Sequence, residues 1–304
     1  MSDKKYAYSE IFHSIQGEGA YTGRPTSWLR FFLCNLQCDG FGQKDPTDPS
    51  TYELPYLTID ISSITKLEDL PVWKKGCDSS YSWSAKFKHL QHKHTATEIC
   101  DRIRQSMYHP SNPDGKFNNN GTEQHMCFTG GEPMMKHAQH AVIAVYDQFA
   151  AEGDAPRWLT WETNGTQPLT AEFANYFGDT YFPGEVFFSV SPKLFTTSGE
   201  KTADAICPDV VKSYHDLSNK GQLKFVVNGS VESWNELEET VVKFREAGVT
   251  YPVWVMGVGA TLEAQKGTEA GYIGEAHIAT EAFKRGYNYS SRVHVHIWGN
   301  TMGT

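Results

Sequence analysis

The sequence predicts an α/β fold in which parallel strands are joined by helical crossovers. Three observations carry that expectation. From about residue 95 onward, short apolar runs alternate with longer amphipathic stretches, the pattern of repeated strand–helix units. Most of these runs end in small or polar residues, as strands do when they deliver the chain to a ligand site at their carboxyl ends. At 304 residues, with 39% apolar and 13% aromatic content, the chain can bury a substantial core while keeping long polar loops. It is read as one domain, 1–304.

Taken in order, "HMCFTG" (125–130) is a strand and "EPMMKHAQHAVIAVYDQFAAEG" (132–153) a helix, with Pro133 suited to its first turn because the missing N–H has no helical partner there. "RWLTWETNG" (157–165) is the next strand and turn, followed by a short helical piece. "EVFFSVSPK" (185–193) and "QLKFVVNG" (222–229) are strands. "SVESWNELEETVVKFREAG" (230–248) is a helix with Ser230 or Ser233 as N-cap and Gly248 as C-cap. "YPVWVMGVG" (251–259) and "RVHVHIWGN" (292–300) close the series. Three stretches break the rhythm and read as insertions or long loops: 39–76, about 108–123 and about 196–220. Within the first, "YELPYLTIDISSI" could form a small strand of its own.

The formal net charge of -9 argues against a nucleic-acid coat or a membrane-surface binder. No run approaches the length of a transmembrane helix, and "MSDKKYAYSE" has no apolar signal-peptide core, so the expectation is a cytoplasmic protein. In a reducing compartment, six cysteines suggest metal ligands or small buried residues before disulfides.

The chemistry gathers where strands end. Thr129-Gly130-Gly131-Glu132-Pro133, Glu162-Thr163-Asn164-Gly165, Ser191-Pro192-Lys193 and Met256-Gly257-Val258-Gly259 each follow a strand. Paired glycines admit a ligand close to the backbone, and a neighbouring carboxylate can accept from an ammonium or hydroxyl. Each alone is also an ordinary turn. Toward the N-terminus, Gln16-Gly17-Glu18-Gly19 interrupts a strand-like alternation, and Arg30 sits inside the apolar run "SWLRFFL". Arg30 is either a surface charge on an edge strand or a fork for a substrate carboxylate.

Cys34 and Cys38 lie in the polar loop "CNLQCDGFGQ". Cys100 falls at helical spacing among apolar residues and Cys127 inside a core strand, so both read as buried structural thiols; Cys207 precedes a proline and is uninformative. Cys77, in "KKGCDSSYSWS", lies among polar residues, so the chain could leave after Cys38, make an excursion and return with a further ligand. Three thiolates on a [4Fe–4S] cluster leave one iron open, whereas a closed zinc site wants four ligands. His89, His92 and His94 follow downstream and fit an exposed basic stretch.

"EIFHSIQGEGAYTGRPTSWLRFFLCNLQC", "CDSSYSW", "FTGGEP", "ETNGT", "SPK", "LKFVV" and "HIWGN", in that order, resemble the 7-carboxy-7-deazaguanine synthase family of the radical S-adenosylmethionine superfamily. The matches run from about residue 8 to 300, in islands separated by the insertions. The family pattern is C-x3-C-x2-C followed by Asp-Thr. Here an insertion parts the second cysteine from the third, and Ser79 stands for the threonine.

The resemblance implies an abbreviated partial (β/α)6-type barrel, commonly homodimeric. It implies the ring contraction of 6-carboxy-5,6,7,8-tetrahydropterin to 7-carboxy-7-deazaguanine with loss of ammonia, using a [4Fe–4S] cluster, S-adenosylmethionine, Mg2+ and a flavodoxin-like electron donor. By alignment, Cys34, Cys38 and Cys77 hold the cluster and Ser79 ligates Mg2+. Ile15, Gln16, Gly17, Arg30 and Thr129 meet the substrate, with Gln16, Arg30 and Thr129 as the catalytic set. Gly76, Cys77, Asp78, Gly130, Gly131, Glu132, Asn164, Ser191, Pro192, Lys193 and Met256 to Gly259 surround S-adenosylmethionine, although "MGVG" departs from the family's usual sequence. Some family members use their C-terminal residue against the substrate, the place Thr304 holds here. The rival readings are another small radical enzyme, such as a glycyl-radical activase, and a non-enzymatic zinc-binding interaction protein. The destination of the product, tRNA or DNA, is not written in this chain.

Overall fold

The structure is a computed structural model that describes residues 4–303; Thr304 lies outside the described residues. Tyr6–Ile15 (β1) runs antiparallel to Pro25–Phe31 (β2). The chain then makes an excursion containing the single-turn helix Pro55–Thr58 (α1) and returns as the edge strand His92–His94 (β3), antiparallel to β1. Ala96–Ser106 (α2) and a small hairpin of Asn118–Asn119 (β4) with Thr122–Glu123 (β5) follow. Strand and helix then alternate. His125–Gly130 (β6) leads to Lys136–Ala151 (α3), Trp158–Thr163 (β7) to Ala171–Phe177 (α4). Glu185–Val190 (β8) leads to Phe195–Ser198 (α5), Thr202–Ala205 (α6) and Pro208–Leu217 (α7). Gly221–Val227 (β9) leads to Val231–Glu246 (α8), and Val253–Gly257 (β10) to Leu262–Lys266 (α9) and Glu275–Lys284 (α10). Asn288–Tyr289 (β11) and Val293–Trp298 (α11) end the chain.

One sheet collects nine strands in the order β11-β10-β9-β8-β7-β6-β2-β1-β3. From β2 through β11 every neighbouring pair is parallel, and the strands follow chain order. Such an order never reverses, so crossovers of the usual right hand lay all their helices on one face. That face is apolar: Leu29, Phe31, Phe128, Trp161, Phe188 and Phe225 join Val142, Phe173, Leu237 and Phe244 in one core. The alternate residues of the same strands, among them Arg30, Thr129, Glu162, Lys224 and Met256, line a cavity.

The sheet is strongly curved. Gln16, directly after β1, donates to Glu162 on β7 at 3.0 Å, although β2 and β6 lie between those strands. A flat sheet would separate them by roughly 14 Å. The same loop donates from Ala20 N to Gln222 on β9, and from Gly19 N to Ser290 just after β11. Six parallel strands, β2 and β6 to β10, each followed by helix, thus form the partial (β/α)6-type barrel that the sequence implies. Its open side is spanned by the loop after β1 and the segment after β11.

Four local expectations are corrected. Pro133 is not in the first turn of α3, which starts at Lys136 with Met135 as N-cap. Residues 131–135 instead turn over the end of β6, where Glu132 N donates to Leu33 O and Met134 N to the Glu132 carboxylate. The excursion 39–76 holds no strand among the described residues; its apolar residues are spent on a small core of their own. The stretch 196–220 is helical, and α7 supplies the crossover from β8 to β9, with Val211 and Tyr214 buried in the main core. Finally, 293–298 is a short helix despite its period-two alternation: Val293 N donates to Gly17 O, and Val295 is buried. Of the two candidate caps of α8, Ser230 does the work by accepting from Ser233 N.

Candidate active site

The thiol loop begins immediately after β2. Leu33 and Cys38 both adopt left-handed backbone, with φ of 88° and 56°, an uncommon state for residues with side chains and one that clusters at functional sites. The strain is held from several sides. Leu33 N donates to Ser82 O, and Leu33 O accepts from Glu132 N, each at 2.8 Å. Gly131 crosses so close that a Cβ there would stand 2.2 Å from Leu33 O. Gln37 N and Cys38 N both donate to the Glu200 carboxylate, at 2.7 and 2.6 Å.

The excursion leaves and returns through one pinched neck. Gly76 N donates to Phe41 O at 2.7 Å, the Tyr56 hydroxyl binds Asp39, and Gln43 donates to Asp39 O and Glu53 O. Tyr56, Ile64, Leu67, Leu70 and Trp73 pack inside the lobe so formed, against Tyr81, Phe87 and Leu90. Cys77 is thereby returned beside the loop it left. Cys34, Cys38 and Cys77 line the same cavity and pack around Leu36 and Ala205. Cys100 and Cys127 are fully buried elsewhere, and Cys207 is the N-cap of α7.

Among the described residues, no three His, Cys, Asp or Glu side chains stand in an arrangement that could hold a metal ion as they are. The chemistry of the donor set nevertheless fits an iron–sulfur cluster. Three soft thiols line the same cavity and gather in one small cluster. Burial, then the nearby Glu132 carboxylate, pushes the Cys34 thiol up to about 12, and burial drives Cys38 well above its ordinary value. Burial and Asp78 also raise Cys77. Each thiol would have to lose its proton to serve as a ligand, so a bound cationic centre would have to offset that burial.

The concave face continues as a chain of buried charge. Arg30 Nε donates to Glu10 at 2.6 Å, and the Tyr81 hydroxyl donates to the same oxygen at 2.6 Å. Nη1 donates to Gly130 O at 3.4 Å, and Arg30 lines the cavity. Lys224 donates to Glu18 at 2.6 Å and to Glu162 at 2.8 Å. Burial alone would push the Glu18 carboxyl up, but Lys224 and Arg292 together hold it far below its ordinary value. The Gln16 amide donates to Glu162, and its oxygen accepts from Glu18 N, which fixes the amide's orientation and leaves one N–H and one lone pair. Beside it, His294 presses on Gly17, where a Cβ would stand 2.1 Å from Nδ1. Burial, then Arg292, lowers the His294 imidazole to about 4, so it is neutral at neutral pH.

Of the residues expected at the site, Ile15, Gln16, Gly17, Arg30, Gly76, Asp78, Ser79, Thr129, Gly130, Gly131, Asn164, Ser191, Lys193 and Met256 to Gly259 all line the one cavity. Glu132 and Pro192 do not. Glu132 is fully buried and accepts from Met134 N, Thr163 Oγ1 and Asn164 N, so it holds the two strand-end turns together and does not face a ligand. Sequence reasoning missed Glu10, Tyr81, Glu200, Lys224, Arg292 and His294. The signal was faint: Glu10 and Lys224 are charged residues at buried positions within strands that also carry apolar residues.

No protein-family model matches the chain. Two curated proteins called 7-carboxy-7-deazaguanine synthase align along its whole length. The one from Halobacterium salinarum is 25% identical over 97% of this chain and 91% of its own. The one from Rhodopirellula baltica is 23% identical over 100% of this chain and 90% of its own. The crystal structure of QueE from Escherichia coli superposes with a TM-score of 0.49 at 17% identity, covering 94% of this chain and 93% of that one. Along nearly its whole length the chain is thus similar to curated 7-carboxy-7-deazaguanine synthases, at 23–25% identity.

Proposed function

We propose that the protein is a 7-carboxy-7-deazaguanine synthase, a radical S-adenosylmethionine lyase that contracts 6-carboxy-5,6,7,8-tetrahydropterin to 7-carboxy-7-deazaguanine with loss of ammonia. The observation that carries this reading is the meeting of three thiols with Gln16, Arg30 and Thr129 on one cavity of about 320 Å³. Few folds need both a soft-metal wall and a carboxylate fork in a space of ligand size.

Cys34, Cys38 and Cys77 would hold the cluster, which together with S-adenosylmethionine would supply the radical chemistry of hydrogen abstraction. The remaining work falls to the chain. Arg30, steadied by Glu10 and Tyr81, offers its guanidinium to the substrate carboxylate. Gln16 reads the pterin edge with the N–H and lone pair that Glu162 and Glu18 leave it. Lys193, donating to Ser191 and lying over the Phe41 ring, supports a carboxylate on the S-adenosylmethionine side. The lobe contributes Val72, Trp73 and Lys74 to the cavity wall, which supports its reading as a cover that keeps water and oxygen from a reactive centre.

The reading extends to Mg2+ on the Ser79 hydroxyl, which faces the cavity 3.7 Å from Cys77 Sγ and donates to Asp78 at 3.3 Å. It extends also to a flavodoxin-like electron donor, a homodimer and a cytoplasmic setting, which family resemblance supports. No helix among the described residues is long and apolar enough to cross a membrane. The test is to incubate anaerobically reconstituted protein with the carboxy-tetrahydropterin, S-adenosylmethionine, Mg2+ and reductant. The expected product is 7-carboxy-7-deazaguanine. Formation of 5′-deoxyadenosine with no deazapurine overturns the assignment.

A further inference from the structure

Arg292 makes an unusual set of contacts. It lies between β11 and α11, and its side chain is only 13% exposed. Nε donates to Glu18 at 3.0 Å, Nη1 to Gly259 O at 2.8 Å and Nη2 to Asp78 at 3.0 Å. The three partners belong to three separate segments: the loop after β1, the end of β10, and the residue that follows Cys77. Through Glu18 the guanidinium is tied on to Lys224 and Glu162, hence to β9 and β7.

In an uninterrupted cysteine motif the third thiol is placed by the covalent chain itself. Here the excursion removes that constraint, and Cys77 must be positioned by tertiary contacts whose ordering cost is entropic. The neck bond from Gly76 to Phe41 secures it toward the lobe, and Ser82 O on Leu33 N secures the chain beyond it. Toward the barrel, the tie at Asp78 is the guanidinium of Arg292. We propose that Arg292 is a positioning residue that clamps the returning segment at Asp78 to the barrel and so holds Cys77 in line with Cys34 and Cys38. Without it, Asp78 loses its hydrogen-bonded ion pair and the returning segment loses its side-chain tie to the barrel at that residue.

The inference rests on the reading of Cys77 as the third thiol ligand, and the experiment separates the two. Alkylation of each cysteine in the apoprotein is followed by mass spectrometry for the unaltered chain, Arg292→Gln, Arg292→Lys and Asp78→Asn. Loss of the cluster absorbance to a chelator is followed in the reconstituted proteins. In Arg292→Gln, Cys77 is expected to react about tenfold faster while Cys34 and Cys100 change little, as when one local closing contact is lost. Its cluster is expected to be lost correspondingly faster, with Arg292→Lys intermediate because an ammonium reaches fewer partners. Asp78→Asn reproduces the Cys77 exposure and serves if Arg292→Gln does not fold. Unchanged Cys77 reactivity overturns the clamp, as does an equal rise at every cysteine, which marks general loosening. If the unaltered protein takes up no iron, the cluster reading fails, while the alkylation contrast still decides the clamp.

Discussion

On the outer face of the sheet, Trp161, Phe188 and Phe225 are fully buried against helices; one residue along the same strands, Glu162 and Lys224 line the cavity and pair with each other, and buried Ser189 donates to Glu162 beneath them. The two faces are made of alternate residues, so they share every backbone hydrogen bond and differ in side chains alone. Their stability has different sources. The outer face is held by contact area, which any apolar neighbour can supply. The inner face is held by pairing specific charges, each of which is costly if its partner is removed. A strand that must serve both faces cannot be uniformly apolar, and the inward charges Glu162 and Lys224 beside the outward Trp161 and Phe225 are the visible mark of a site.

The sharpest break of this comparison is at the cavity. Cys77→Ala is expected to abolish cluster incorporation, measured as iron per chain after anaerobic reconstitution, whereas Cys100→Ala and Cys127→Ala retain it. Cys127 makes the control strict, because it sits on β6 at an inward position yet is fully buried. Equal iron in all three variants would remove Cys77 from the ligand set.

Next come the two kinds of stability. Trp161→Ala on the outer face should cost roughly 4 kcal/mol in denaturant unfolding, with the site's ligand-binding preferences intact in whatever protein folds. Lys224→Met on the inner face should cost roughly 3 kcal/mol, because it leaves Glu18 and Glu162 without their shared cation. Only the second loss should depend strongly on pH.

That dependence has a definite sign. Burial raises the Glu18 and Asp78 carboxyls, but Lys224 and Arg292 for the former and Arg292 for the latter leave both below their ordinary values of 4.5 and 3.8. The unfolded chain therefore binds more protons in the acid range. The stabilisation is complete above those ordinary values and is lost as pH falls through the lower folded ones. In acid unfolding followed by tryptophan fluorescence, Arg292→Gln and Lys224→Met should move the midpoint to higher pH and flatten the fall of stability with pH, whereas Trp161→Ala should lower stability by a similar amount at every pH and keep the slope of the unaltered chain. The smallest effect is expected far from both faces. Ser230→Ala removes the cap of α8 and should cost about 1 kcal/mol at every pH.

Much of this molecule is legible in its residues alone. The strands from 125 to 257 announce themselves because apolar runs bounded by turns need no distant partner to be recognised. The last run, 292–300, misleads because alternation records which residues are apolar and does not record whether a neighbouring strand is there to pair with. The stretch 196–220 misleads in the other direction: it opens with single-turn helices too short to show periodicity, and the ten-residue α7 buries only Val211 and Tyr214.

By itself, the sequence determined the strand–helix alternation, the identity of the candidate thiols and the presence of an arginine within the apolar run of β2, all of which are local in the chain; which way Arg30 faces is not among them. Tertiary structure alone decided how they meet. Lys224 and Glu18 are 206 residues apart, Arg292 and Asp78 214, Arg292 and Glu18 274. No local pattern encodes such pairs, because curvature of the sheet, closure of the lobe's neck and burial of charge bring them together only once the core has formed.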